Sequence, residues 1–275
     1  MSDPRLQRLT DSENLQVGLA CGAIDVTCTQ WMLYCKNASQ QGIPLTMNPR
    51  TLYRGYTMSL TNMMVLSGLQ IPLTAACTRV VTGGVERKLS DGEMIGAGFA
   101  GGVLSGFVCA PMELVMIQQQ RFGTSLLATP AKVVSEAGIT GLFGRGLGMS
   151  CGREGVFTAG MLGLGPAIRR YATDTLGYSE ATAQVLASVG GVVVVATASH
   201  PLDTIKTVQQ GDVAKLEYRG VLHAASTLLA KPGGASVFFR GWGWRTGRMV
   251  VECFLFSACL KNLSPIFFPH HFEDD

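Results

Sequence analysis

Long apolar stretches divided by short polar ones dominate this chain. Three windows, Tyr56–Thr78, Met94–Met112 and Ala181–Ser199, contain no Asp, Glu, Lys or Arg. Each is close to the roughly 20 residues that a helix needs to cross the hydrocarbon core of a bilayer. Three further stretches, around 14–40, 148–168 and 247–266, are apolar but interrupted by Asp25, Arg153, Glu154, Arg248 and Glu252. A charge within a membrane helix is costly, so these side chains are expected to face a bundle interior or a watery cavity. The pattern predicts an all-α membrane protein with six transmembrane helices, three plain and three carrying charges along one face.

Composition agrees with a lipid environment. Of 275 residues, 15% are charged and 47% hydrophobic, with 34 glycines. The formal net charge of +3 is too small to imply nucleic acid. The eight cysteines include no CxxC pair, and the histidines show no cluster at metal-ligand spacing, so no metal and no cofactor is expected. Cys21, Cys28 and Cys35 recur on one helix face and read as small packing residues. The N-terminal MSDPRLQRLTDSEN has three acids and no apolar core. It resembles neither a signal peptide nor an amphipathic presequence, which puts any organelle address within the body of the protein. The tail PHHFEDD reads as a frayed end. Gly148–Gly152 fits G-x-S-x-G, but Ser150 lies at the start of a predicted membrane helix rather than on a strand-turn-helix elbow. GRGLG from Gly144 likewise lacks the strand that a phosphate loop requires.

The stretch SHPLDTIKTVQQ places Pro201, Asp203, Lys206 and Gln210 at offsets 0, 2, 5 and 9, and this pattern recurs. In APMELVMIQQQ, Pro111, Glu113 and Gln120 keep offsets 0, 2 and 9, while Met116 takes the lysine position. In QWMLYCKNASQ, Trp31 stands at the proline, Leu33 at the acid, Lys36 at the lysine and Gln40 at offset 9. Using Asp25 as the acid instead would lose the glutamine and shift the glycines upstream. Gly98 and Gly102 precede Pro111 by 13 and 9 residues, as Gly18 and Gly22 precede Trp31. Glycines four apart let helices approach closely in lipid. A second marker, an aromatic residue followed directly or one residue later by Arg-Gly, ends at Gly55, Gly146 and Gly241, spaced by 91 and 95 residues. Between the markers, repeats two and three leave room for a short surface helix. Repeat one, with 24 residues from Trp31 to Gly55 against 35 and 40, leaves room for a turn at most.

These motifs resemble the mitochondrial carrier family over nearly the whole chain, most specifically in the third repeat. The resemblance implies one carrier domain over 1–275, with repeats at approximately 12–85, 90–175 and 180–268. It implies six helices with threefold pseudosymmetry around a central cavity, and odd helices kinked at Pro111 and Pro201. A proline at that point independently frees a backbone carbonyl and bends a helix. It also implies a matrix gate in which the acid of one repeat meets the lysine of the preceding one. Glu113 would then meet Lys36, while Asp203 would face Met116 and Lys206 would face Leu33. One pair of three would be retained, braced by Gln40, Gln120 and Gln210. A local alternative for Asp203 and Lys206 is an i,i+3 pair within one helix. On the opposite side the family carries an acid and a lysine on each even helix; Ala75, Thr78, Pro166, Arg169, Lys261 and Ser264 stand there, with no acid.

The substrate positions implied by the resemblance lie seven residues after each marker glycine, at Asn62, Arg153 and Arg248, with Met63 and Glu154 as neighbours. An arginine fork grips a carboxylate through two hydrogen bonds, and Glu154 would receive an ammonium group. Members with Arg-Glu here tend to move amino acids or related zwitterions. The competing local reading is that Arg153 and Glu154 only bridge to neighbouring helices; as adjacent residues they project about 100° apart and are not expected to pair with each other. Arg245 reads as a ligand of helix-end carbonyls. Asp25, midway along the first helix, is a candidate substrate contact, proton site or partner of Arg248. The resemblance implies no enzyme but a carrier working by alternating access in the inner mitochondrial membrane, with peroxisomal or plastid membranes as alternatives. Its partners would be a small-molecule substrate and membrane lipid, with cardiolipin on the matrix side, and it would act as a monomer. A keto-acid or dicarboxylic acid carrier, and a degenerate carrier serving as a membrane adaptor, are the alternatives.

Overall fold

The computed structural model describes residues 9–85, 87 and 89–272. Residues 1–8 of the N-terminal stretch and the last three residues of the tail lie outside the described residues. Among the described residues there is no strand. The helices are α1 (Asp11–Gln41), α2 (Pro49–Leu52), α3 (Tyr56–Thr82), α4 (Asp91–Phe122), α5 (Ala128–Gly144), α6 (Leu147–Asp174), α7 (Glu180–Gly211), α8 (Val221–Ala230) and α9 (Trp242–Phe267). Six of these run 26 to 32 residues. At 1.5 Å per residue, each is about 40–48 Å long.

Two kinds of helix start alternate along the chain. The helices α1, α4 and α7 begin after Thr10, Ser90 and Ser179, whose side chains accept the backbone N–H of Glu13, Glu93 and Thr182. In the first two the glutamate reaches back to the cap, which satisfies two orphan donors at once. The helices α3, α6 and α9 instead begin after Gly55, Gly146 and Gly241, with φ of 77°, 74° and 78° and ψ of 6°, 5° and 5°. Only glycine takes that left-handed geometry without steric cost. Contact requires it as well. A Cβ on Gly55 would lie 3.1 Å from the Met116 carbonyl oxygen and on Gly241 2.9 Å from that of Lys36, while on Gly146 it would press on the Gln210 side chain at 3.0 Å and rest in ordinary contact with the Lys206 carbonyl at 3.4 Å.

The long helices form a closed ring: α1 packs on α3, α3 on α4, α4 on α6, α6 on α7, α7 on α9, and α9 returns to α1. Small residues set the closest approach. A Cβ on Gly102 would stand 2.4 Å from the Glu154 carbonyl oxygen, and on Gly106 2.9 Å from Cys151 Cα, so α4 and α6 meet backbone to backbone. Gly22 is covered by Met63, while Gly18 faces open space. Both α4 and α7 continue helically through Pro111 and Pro201. At one end of the ring, three apolar clusters lie under the short elements. One joins Tyr34, Cys35 and Ala38 to Leu52 of α2; another sets Leu114 and Val213 against Val133 of α5; the third sets Ile205 and Val208 against Ala224 and Leu228 of α8.

Among the described residues, four segments are long and apolar enough to cross a membrane: Pro49–Thr82, Asp91–Phe122, Glu180–Gly211 and Gly234–Phe267. The six spans expected from the sequence are therefore met by composition in four cases. Glu13, Asp25 and Lys36 in α1, and Arg153, Glu154, Arg169, Arg170 and Asp174 in α6, bring those two helices below that apolarity. Outward-facing side chains such as Ile71, Val80 and Phe107 are well exposed, as a lipid-facing surface requires. The first part of the tail is ordered rather than frayed: Pro269–His271 forms a 3₁₀ turn packed on α9, with His271 hydrogen-bonded to Glu13.

Gly241→Ala combines left-handed strain with a clash against the Lys36 carbonyl, whereas Gly83→Ala (φ 64°) meets open space. Thermal unfolding in detergent should show Gly83→Ala costing about 1 kcal/mol, and Gly241→Ala clearly more. Equal losses would mean that the Gly241–Lys36 approach contributes nothing.

Candidate functional site

The end of the ring beneath the three apolar clusters is closed by buried charges from α1, α4, α6 and α7. Lys36 Nζ lies 2.8 Å from Asp203 Oδ2, and Lys206 Nζ lies 3.3 Å from Glu113 Oε1. These side chains are at most 8% exposed. The pairing corrects the expectation that Glu113 meets Lys36 and that Asp203 and Lys206 face Met116 and Leu33. The physical reason lies in the glycines. An acid and a lysine three residues apart diverge by roughly 60° around a helix, so each turns toward a different neighbour. Gly146 of the α4–α6 side rests on Lys206, and Gly241 of the α7–α9 side rests on Lys36. Each lysine therefore looks back toward the preceding repeat's acid around the closed ring. Two pairs are present, and the third has two apolar residues, Leu33 and Met116, so no charge is stranded. Lys206 also lies 3.2 Å from Asp203 Oδ1, so the local i,i+3 pair coexists with the pair between helices.

Of the three glutamines, Gln40 alone donates to one of these carboxylates, at 2.9 Å from Asp203 Oδ2. Gln120 Oε1 accepts from Asn37 Nδ2 at 2.6 Å, and Gln210 Nε2 donates to the Ala110 carbonyl at 3.3 Å. These two tie α1 to α4 and α7 to α4 without touching an ion pair, a correction to their expected bracing role. Ser150, the apparent nucleophile of G-x-S-x-G, is buried in α6 and donates to Glu113 Oε2 at 3.0 Å.

Arg153 joins this cluster from α6. Its guanidinium lies 2.5 Å from Glu113 Oε1, 2.5 Å from Glu154 Oε1 and 3.6 Å from Asp203 Oδ1. The expectation that adjacent Arg153 and Glu154 do not pair is thus corrected. Their side chains are long enough to curl toward the same acceptors even though their Cβ atoms diverge. Three carboxylates balance Lys36, Lys206 and Arg153. The further guanidinium of Arg245 donates to Ser199 Oγ at 2.8 Å and to the Ala196 carbonyl at 3.4 Å, as read from the sequence.

The expected substrate residues do not form one cluster. Arg248 donates to Thr29 Oγ1 at 3.2 Å and pairs with Glu252 one turn on. Asp25, also on α1, faces both Arg248 and Glu252, and its Oδ1 is buried without a hydrogen-bond partner. Asn62 Oδ1 is likewise buried and unpartnered, on α3. Thr29, and Glu252, which the sequence reading took only as an inward-facing charge, thus join the candidates; the i,i+4 spacing of Glu252 from Arg248 was the available signal. An open apolar hollow of about 720 Å³ lies elsewhere, lined by Met32, Thr197, Phe239 and Trp242 among others, and none of these charges reaches it.

The other end of the ring is held differently. Arg169 pairs with Glu180 at 2.8 Å and Arg170 with Asp91 at 3.2 Å, all on exposed side chains.

Residues 178–271, which include α7, α8 and α9, match the family described as mitochondrial carrier protein. No curated protein matches the chain. The match covers about the last third of the chain, the stretch in which the proline, acid, lysine and glutamine pattern is complete. Members of that family are solute transporters rather than enzymes. Together with the apolar helices, this match supports a multi-pass membrane protein of the solute-transporter kind.

Removing one partner of a buried ion pair leaves the other uncompensated, whereas removing both does not. Lys36→Ala should cost about 3 kcal/mol, the low end of the usual range because Lys206 and Arg153 still face Asp203. Lys36→Ala with Asp203→Ala should recover a large part of that loss. A double-mutant cycle on detergent unfolding measures the coupling; a coupling near zero would show that the pair does not hold this end.

Proposed function

We propose that this protein carries a small carboxylate-bearing metabolite, an amino acid or related zwitterion, across the inner mitochondrial membrane by alternating access. All six long helices would span the bilayer, forming three repeats over 12–85, 90–175 and 180–268 of one domain. The closed ring and the three equivalent glycine contacts support that reading. The carrying observation for the substrate is that Arg153 and Arg248 are each partly buried among carboxylates. A substrate carboxylate would bind the guanidinium forks, and an ammonium group would be received by Glu154 or by Asp25 with its unpartnered oxygen. A carboxylate arriving at Arg153 competes with Glu113 and Asp203 for the same guanidinium. Substrate binding would thereby loosen the ion pairs that close this end, and the midplane site would open toward the other side. Asn62 would contribute a neutral amide, and Gln40 would act with the Lys36–Asp203 pair as part of the gate.

Purified protein in liposomes should take up a labelled amino acid. Arg153→Lys and Arg248→Lys keep the charge but lose the fork, and uptake should fall about tenfold or more. Asp25→Asn should impair amino-acid uptake while leaving any keto-acid uptake intact. Movement of malate or oxoglutarate without amino acids would favour the dicarboxylic acid reading. A folded protein that moves no solute under any gradient would favour a membrane adaptor.

The threefold reading is tested independently of transport. Leu33→Asp and Met116→Lys should each destabilise the protein, while the two together should restore stability by completing the third ion pair. Strictly additive losses would count against equivalent positions at Leu33 and Met116.

A further inference from the structure

We propose that Glu13, His270 and His271 form a binding site for a divalent transition-metal ion of the zinc type. The three residues are brought together only by the fold. Glu13 lies in the first turn of α1, and the histidines lie in the 3₁₀ turn after α9. His271 Nε2 stands 3.1 Å from Glu13 Oε2 and 3.3 Å from Oε1, and His270 Nε2 stands 3.6 Å from Oε1. The three ligand atoms all lie within 4.8 Å of one another. Donor atoms arranged tetrahedrally around zinc, with bonds of about 2.0–2.1 Å, are separated by about 3.3 Å. The observed separations fit that spacing after small side-chain adjustments.

Two further features favour a metal over a simple ion pair. The imidazole rings stand 4.1 Å apart between centroids, tilted by 43°, with both Nε2 atoms turned toward the same carboxylate. A cation set between them would meet two ring nitrogens and one carboxylate from a single direction. The carboxylate is also held from behind. The Thr10 backbone N–H and its hydroxyl both donate to Glu13 Oε2 at 2.8 Å, so the helix cap fixes the third ligand. His270 is well exposed, which leaves a coordination position for water. A His₂Glu set suits zinc, with copper and nickel as competitors under the usual affinity order.

The site bridges the seam where α9 returns to α1, about 35 Å along α1 from Lys36 at 1.5 Å per residue. A bound ion would fasten the end of the ring whose pairs between helices, Arg169–Glu180 and Arg170–Asp91, are exposed. This inference concerns binding and stability and does not rest on the transport reading.

The test uses the full chain without a histidine tag, purified in detergent, with Zn²⁺ titrated against a chromophoric chelator. Wild type should bind a zinc ion that the His270→Ala, His271→Ala double variant does not, and Glu13→Gln should bind about tenfold more weakly. Zinc should raise the unfolding temperature of wild type and not that of the double variant. Unchanged zinc binding in the double variant, or no binding at micromolar zinc, overturns the proposal. Eight free cysteines are rival ligands, so Co²⁺ substitution gives a check that needs no variant. A nitrogen and oxygen site lacks the near-ultraviolet thiolate charge-transfer band, and its presence at one equivalent would assign the metal to cysteine instead.

Discussion

A charge buried in protein or lipid must find an opposite charge, and this requirement organises one end of the molecule. Lys36, Asp203, Glu113 and Lys206 are almost wholly excluded from solvent where α1, α4 and α7 converge. None could be held there alone, because the desolvation of an isolated ion exceeds what packing returns. Their mutual attraction therefore fixes which helices meet and which faces they turn inward. Where the pattern lost a charge, it lost both partners. Leu33 and Met116 leave an apolar contact position rather than an unpaired ion.

The same requirement draws Arg153 toward this end. A guanidinium from α6 would be costly against lipid, but here Glu113, Glu154 and Asp203 lie within reach of it. Arg245, with carboxylates nearby but none bonded, instead uses a hydroxyl and a backbone carbonyl. Arg248 is satisfied locally by Glu252 and across the seam by Thr29 of α1. The positions expected to share one substrate are thus divided between two charge clusters. Each arginine has been drawn to its nearest carboxylates.

Much of this was legible along the chain. The spacing of proline, acid, lysine and glutamine located the residues that close the ring, and the Arg-Gly markers located the starts of α3, α6 and α9. The direction of pairing was not legible in the same way. It depends on which side of a helix each offset projects and on which neighbour lies there, and a linear pattern does not display the ring order. Arg153 and Glu154 were misjudged because the angle between Cβ atoms does not limit side chains with four and three rotatable bonds. Glu13 and His271 are 258 residues apart, so no local spacing could relate them; only closure of α9 on α1 does so. The four-residue α2 was foreseeable, since the short interval from Trp31 to Gly55 leaves no room for a longer helix.

The two ends of the ring are held by interactions of different physical character. At the Lys36–Asp203 end the pairs are buried, and salt does little to screen them. At the other end Arg169–Glu180 and Arg170–Asp91 are exposed, and pairs of that kind contribute little and weaken with ionic strength. The geometry of the starts follows the same division. The helices α1, α4 and α7 begin at the weakly held end with side-chain caps that satisfy their own N-termini. The helices α3, α6 and α9 begin at the ionic end, where uncapped glycine starts press against the neighbouring lysine-position residues. Parting the ionic end would break both buried ion pairs and glycine contacts, whereas the other end is joined by exposed pairs and by the hydrogen bond between Glu13 and His271. That asymmetry is built into the chain at three places, in the three hydroxyl caps of α1, α4 and α7 and the three glycine starts of α3, α6 and α9.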